Sequence, residues 1–132
     1  MFGVNPQGYI YGLGVSPDGK KLAIEFSRAP EWTSKTAVFD LASSSVSRAI
    51  DASRYASGMQ FTPDGKSVAY VIGENNVGNL WVQPLDGSAG HRITDFKSEQ
   101  IWSFSLSPDG KSLAVLRGHY DSDVVLLQES NP

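Results

Sequence analysis

The side chains that could do chemistry are few. His91 and His119 are the only imidazoles, and with no cysteine there is no thiolate nucleophile, disulfide or thiolate zinc site. His91 lies in Gly90-His91-Arg92-Ile93-Thr94, which reads as an outer strand beside solvent and suits a surface residue better than a base. His119 lies in Arg117-Gly118-His119-Tyr120-Asp121, a connection between strands, where a ligand role stays open. No His-x-x-x-His pair offers metal-ligand spacing, and no Gly-x-Ser-x-Gly elbow occurs. Asp121 and Asp123 could touch a cation, but the spaced oxygen ligands of a calcium loop are absent. Gly12-x-Gly14 precedes a strand turn rather than a helix, so it is no phosphate loop. The expectation is a chain with no catalytic residue, no metal and no cofactor.

Three further aspartates, Asp18, Asp64 and Asp109, invite a carboxylate-cluster reading until their context is read. They sit in Ser16-Pro17-Asp18-Gly19-Lys20-Lys21-Leu22-Ala23, Thr62-Pro63-Asp64-Gly65-Lys66-Ser67-Val68-Ala69 and Ser107-Pro108-Asp109-Gly110-Lys111-Ser112-Leu113-Ala114. These segments align without gaps, and the aspartates are 46 and 45 residues apart. Each copy is turn chemistry. Pro17, Pro63 and Pro108 preset φ near −65°, Asp tolerates the bridge region, and Gly19, Gly65 and Gly110 take the left-handed conformation. That describes a three-residue hairpin made of a type I turn and a glycine bulge. Equivalent points of separate repeats cannot converge as an acid/base pair must.

The flanks of each turn have strand periodicity. Tyr11, Leu13 and Val15 alternate with small residues before the first turn, and Trp102, Phe104 and Leu106 alternate with serines before the third. Second strands are expected at Leu22–Phe26, Val68–Ile72 and Leu113–Leu116. Third strands are expected at Thr36–Leu41, Asn79–Leu85 and Asp123–Leu127, and fourth strands at Ser47–Ile50 and His91–Thr94 only. Four short antiparallel strands per period of about 45 residues is the plan of a β-propeller blade. The fold expected is therefore all-β: a propeller of three blades per chain, the last incomplete, over approximately 9–51, 55–95 and 101–129. A β-sandwich would not explain the periodic turn. Trp81 and Trp102 are expected in the core between blades.

At these residues the chain resembles a known family. The Ser-Pro-Asp-Gly-Lys-x-Leu-Ala repeat, the pair Leu80-Trp81 and the closing Arg92-Ile93-Thr94-Asp95 are similar to the TolB-like propeller repeat, over essentially the whole chain. More narrowly, Asn79 to Leu127 resembles the final blades of large bacterial proteins that carry such a propeller behind a kinase or winged-helix domain. The resemblance implies a six-bladed ring and a protein-interaction or ligand-sensing role. Related repeats also form the gating propeller of prolyl-oligopeptidase-like serine peptidases. That alternative needs a hydrolase domain, whose motifs are not in these residues.

Composition bounds the partners. The 132 residues include 18 Ser, 13 Gly and 7 Pro, and 11 basic against 14 acidic residues give a net charge of −3. This balance disfavours a nucleic-acid backbone, which needs clustered Lys and Arg. No apolar run approaches a membrane span of ~18 residues, and the first residues show no secretory leader pattern; the compartment stays open. Three blades fall below the usual minimum of ~4 and would leave two apolar blade faces uncovered. The expected partner is a second copy, giving a homodimer with six blades, or the remaining blades of a parent propeller. Residues 1–6 are the expected source of a closing strand for the last blade. The loops between second and third strands should share one face and meet a protein or peptide ligand. The candidate side chains there are Arg28, Trp32, Asn75, Asn76, Arg117, His119 and Tyr120.

Overall fold

The computed structural model describes residues 8–30, 32, 35–50 and 56–125. Its elements are strands in three antiparallel sheets. The first holds β1 (Gly8–Val15), β2 (Lys21–Arg28), β3 (Lys35–Asp40) and β4 (Ser45–Ile50), paired in chain order. The second repeats the plan with β5 (Ala56–Phe61), β6 (Ser67–Glu74), β7 (Val77–Pro84) and the two-residue β8 (His91–Arg92). The third pairs β9 (Gln100–Leu106) with β10 (Leu113–Gly118). Each sheet is one blade. The expected closing strand at residues 1–6 lies outside the described residues.

The three repeats close their hairpins identically. Gly19, Gly65 and Gly110 have φ of 71°, 68° and 71°, a region open to glycine at no steric cost. Their N–H groups donate to Ser16, Thr62 and Ser107 carbonyls at 2.8–2.9 Å, closing a type I turn. The ladder resumes one residue later than the sequence pattern predicts. Ser16 N–H donates to Lys21 O at 2.9 Å, while Lys21 N–H donates to the Ser16 hydroxyl rather than its carbonyl, also at 2.9 Å. The connection is thus four residues, Pro17 to Lys20, with the Ser16 hydroxyl receiving the returning N–H. Thr62 and Ser107 do the same.

The core lies between blades. Calling the face toward the preceding blade the front, cross-strand pairs Met59↔Tyr70 and Phe61↔Val68 place these four residues on the front of blade 2. They pack with Ala23 and Val38 from the back of blade 1. Strand alternation sends Ala69, Val71 and Leu80 to the back of blade 2, where they bury against Ile101 and Phe104 of blade 3. Gln60 ties the same two blades by its amide, donating to Phe104 O at 3.0 Å and accepting from Leu106 N–H at 3.3 Å.

Two expectations fail here for physical reasons. The β9–β10 register jumps from Ser103↔Leu116 to Ile101↔Arg117, so Trp102 is a bulged residue. Ile101 takes the core position, and Trp102, expected in the core, is half exposed. Trp81, on the regular part of β7, does pack against the core. The third strand predicted at Asp123–Leu127 is absent over its described part, residues 123–125; residues 126 and 127 lie outside the described residues. Val124 and Val125 stand in solvent, since among the described residues there is no further blade to bury a strand there.

Leu80 is fully buried between blades 2 and 3. Leu80→Ala should cost about 2–5 kcal/mol of unfolding free energy, read as a lower urea midpoint. A loss below about 0.5 kcal/mol would mean that the interface is not the principal core.

Candidate functional site

Strand direction separates the two rims. The Pro-Asp-Gly turns end the first strand of each blade at one rim. The β2–β3 and β6–β7 connections, the β8–β9 crossing and the chain after β10 therefore leave from the other. The candidate loop residues do share a rim, but the structure draws them into separate groups.

On blade 1, Trp32 N–H donates to Arg28 O at 3.0 Å and its indole leans on Tyr9, centroids 5.7 Å apart. Both rings are more than half exposed. On blade 2, Asn75 and Asn76 form the hairpin turn with φ of 51° and 61°, which Asn tolerates better than most residues. Asn76 Oδ1 accepts from Gln100 Nε2 at 3.3 Å. On blade 3, Tyr120 stacks on the bulged Trp102, centroids 5.4 Å apart.

Arg117 acts as a strut. Its guanidinium carbon lies 3.6 Å from the centre of the Phe96 ring, Nη2 donates to Ser98 O, and Glu99 Oε2 is 3.7 Å away. His119 bridges two carboxylates, Glu99 at 3.7 Å and Asp121 at 3.3 Å. No group of three metal-ligating side chains is present among the described residues. His91 is exposed on β8.

Each turn aspartate uses Oδ1 to hold its own turn. Asp18, Asp64 and Asp109 accept the neighbouring hydroxyl at 2.6 Å and the following lysine N–H at 3.0 Å. The hydroxyl bond first, then the amide, hold these carboxyls below their ordinary value of 3.8.

Two features escaped sequence reasoning. Asn79 organises the β8–β9 crossing: its Oδ1 accepts from Phe96 N–H at 2.7 Å and Thr94 Oγ1 at 2.9 Å, and its Nδ2 donates to Phe96 O at 3.2 Å. Thr94 in turn accepts Leu80 N–H at 2.9 Å. The signal was Thr94 within the closing Arg-Ile-Thr-Asp. The second is Glu25. On the back of blade 1, Glu25 and Thr36 hold the places that Val71 and Leu80 hold on blade 2, and both are buried. Gly12 faces Glu25 across the ladder, and a Cβ there would run into the carboxylate. Burial pushes the Glu25 carboxyl above its ordinary range.

An 81-residue stretch is 32% identical to the Tol-Pal system protein TolB of Anaeromyxobacter dehalogenans (strain 2CP-C), covering 59% of this chain and 17% of that protein. The fold matches the putative TolB of Agrobacterium tumefaciens with a TM-score of 0.66 at 24% identity, over 92% of this chain and 41% of that one. The repeats are TolB-like propeller blades. The β-propeller domain of the Trilobed protease from Pyrococcus furiosus, described as having an open velcro topology, matches with a TM-score of 0.68 at 20% identity, over 83% of this chain and 34% of that one. No family model matches the chain. The TolB-like segment spans well under half the length of each of these proteins.

The two kinds of carboxyl carry opposite pH signatures. The turn aspartates, with depressed folded values, contribute stability above 3.8 that is lost as pH falls through those values. Glu25, with a raised folded value, contributes below its ordinary 4.5 and loses that contribution as pH rises through the folded value. Glu25→Gln should therefore raise the melting temperature at pH 7 and gain nothing near pH 4. Asp64→Asn should lower it at pH 7, and that deficit should shrink as pH falls below 3.8. Thermal melts across pH decide both, and a Glu25→Gln variant less stable than the parent at pH 7 would contradict the first.

Proposed function

We propose that this TolB-like segment is a non-catalytic binding and assembly module that completes its ring with a second copy of itself. One observation carries the assembly reading. The front of one blade packs on the back of the one before it twice among the described residues, where the front of blade 1 and Ala114 on the back of blade 3 are exposed.

Leu13, Val15, Leu22 and Ile24 are the blade 1 equivalents of Met59, Phe61, Val68 and Tyr70. The pairs Leu13↔Ile24 and Val15↔Leu22 put them on the front face. Met59 and Phe61 are 9% and 8% exposed, whereas Leu13 and Val15 are 67% and 56% exposed. At the other end, Ala23 and Ala69 are both 0% exposed on the backs of blades 1 and 2. Their equivalent, Ala114 on the back of blade 3, is exposed. Front packs on back at both internal interfaces, which supports pairing the same two faces between copies. A head-to-tail contact between two copies of three blades each would use both faces and close after two steps.

The relatives' name places them in a Tol-Pal system, which fits a role in protein assembly. The binding half of the proposal assigns the ligand face to the loop rim bearing Arg28, Trp32, Asn75, Asn76, Arg117, His119 and Tyr120. The absence of catalysis is proposed because the recurring carboxylates are consumed by their own turns. The likeness to the Trilobed protease propeller favours a second reading, a portion of a peptidase's gating propeller. A hydrolase sequence in the same open reading frame would establish it.

Sedimentation equilibrium at micromolar concentration should give twice the chain mass. Leu13→Glu and Ala114→Glu should each reduce it to the monomer mass. A parent protein that is a concentration-independent monomer would overturn the assembly reading.

A further inference from the structure

Between blades 2 and 3, on the loop rim, lies a cavity of about 340 Å³. It is at the small end of the roughly 300–1,000 Å³ usual for ligand sites. Two glycines line it: Gly73 and Gly78 face each other across the β6–β7 ladder. Gly78 also lets the hairpin lie against β9: its N–H donates to Glu99 O at 2.9 Å, and a Cβ would come within 2.6 Å of Ile101 N.

The floor is apolar, made by Val71 and Ile101, both nearly inaccessible. The rim is amide, made by Asn75, Asn76 and Gln100. The Asn76–Gln100 bond uses one acceptor and one donor, leaving the Asn76 Nδ2 donors and the Gln100 Oε1 acceptor available to an occupant. No charged side chain lines the cavity. A charged occupant would lose hydration with no counter-charge to meet it, and a purely apolar one would cover the amides without pairing them. A main-chain peptide group offers a donor and an acceptor to such a rim, and a small apolar side chain suits the floor.

We propose that this cavity binds an extended, uncharged peptide segment of a partner protein. The proposal rests on the binding half of the function given above and is independent of self-association. It adds a class of ligand and a site that Gln100, Gly73 and Gly78 define together with Asn75 and Asn76.

The test is a ¹⁵N NMR titration of the whole chain with acetyl-trialanine-amide, alongside free trilysine and N-acetylglucosamine. Expected are saturable shifts of the Asn76 and Gln100 side-chain amides and the Gly73 and Gly78 backbone amides with the capped peptide alone. Gly73→Val, which fills the cavity, should abolish them, and Gln100→Ala should weaken binding at least about threefold, the loss of one modest hydrogen bond. The chain mass by sedimentation should stay as in the parent for both. The absence of saturable shifts, shifts elsewhere, binding unaffected by both variants, or equal shifts from trilysine or the sugar would overturn the proposal. A monomeric mass with the peptide shifts intact would indict the assembly reading alone.

Discussion

Everything in this molecule depends on blades burying their faces against one another. A four-stranded blade is a thin sheet with two apolar sides, and among the described residues only blade 2 has both covered. Its β6 shows the consequence most directly. Val68 and Tyr70 turn to one neighbour while Ala69 and Val71 turn to the other. A blade is therefore not a domain with a private core. Its stability is a sum of interfaces, as in other stacked repeat proteins, and the exposed front of blade 1 follows from the same rule that builds the interior.

The hydroxyl–aspartate turn serves this packing without taking part in it. Ser16, Thr62 and Ser107 each bind the turn aspartate and the returning backbone. The connection is locked locally, so the first two strands of every blade enter the interface in the same register. A third strand then caps the turn: Leu41 and Leu85 N–H groups donate to Lys20 and Lys66 carbonyls at 2.9 Å. Blade 3, with no third strand among the described residues, shows no such cap there. Chemistry-bearing residues are used in the same spirit. Arg117 stacks on Phe96 and holds Ser98, and Asn79 gathers Thr94 and Phe96, so polar groups that look available in the sequence mostly position backbone.

Legibility in the sequence varied by residue. The turns, the strand order and the blade period could be read directly, because each turn is a local event repeated three times. The fate of Trp102 could not. A period-two pattern carries no mark of a bulge, and one extra residue reverses the parity of everything before it. Asn75, Asn76, His119 and Tyr120 were legible as loop residues at one rim, yet not as separate clusters, while Arg117, expected in a loop, lies in β10 opposite Ile101. Gln100 and the Gly73/Gly78 pair were missed, because a cavity bounded by two blades has no signature in either blade alone.

By itself, then, the sequence determined the repeating unit: Pro, Asp and Gly select the turn through backbone preferences that operate within a few residues, and alternation sets two-sided strands. The tertiary structure decided which sides are covered. It turned Ile101 inward and Trp102 outward, buried Glu25 where the next repeat carries Val71, and left Leu13 and Ala114 in solvent. Those outcomes depend on what stands across an interface more than twenty residues away in the chain, and no local preference encodes it.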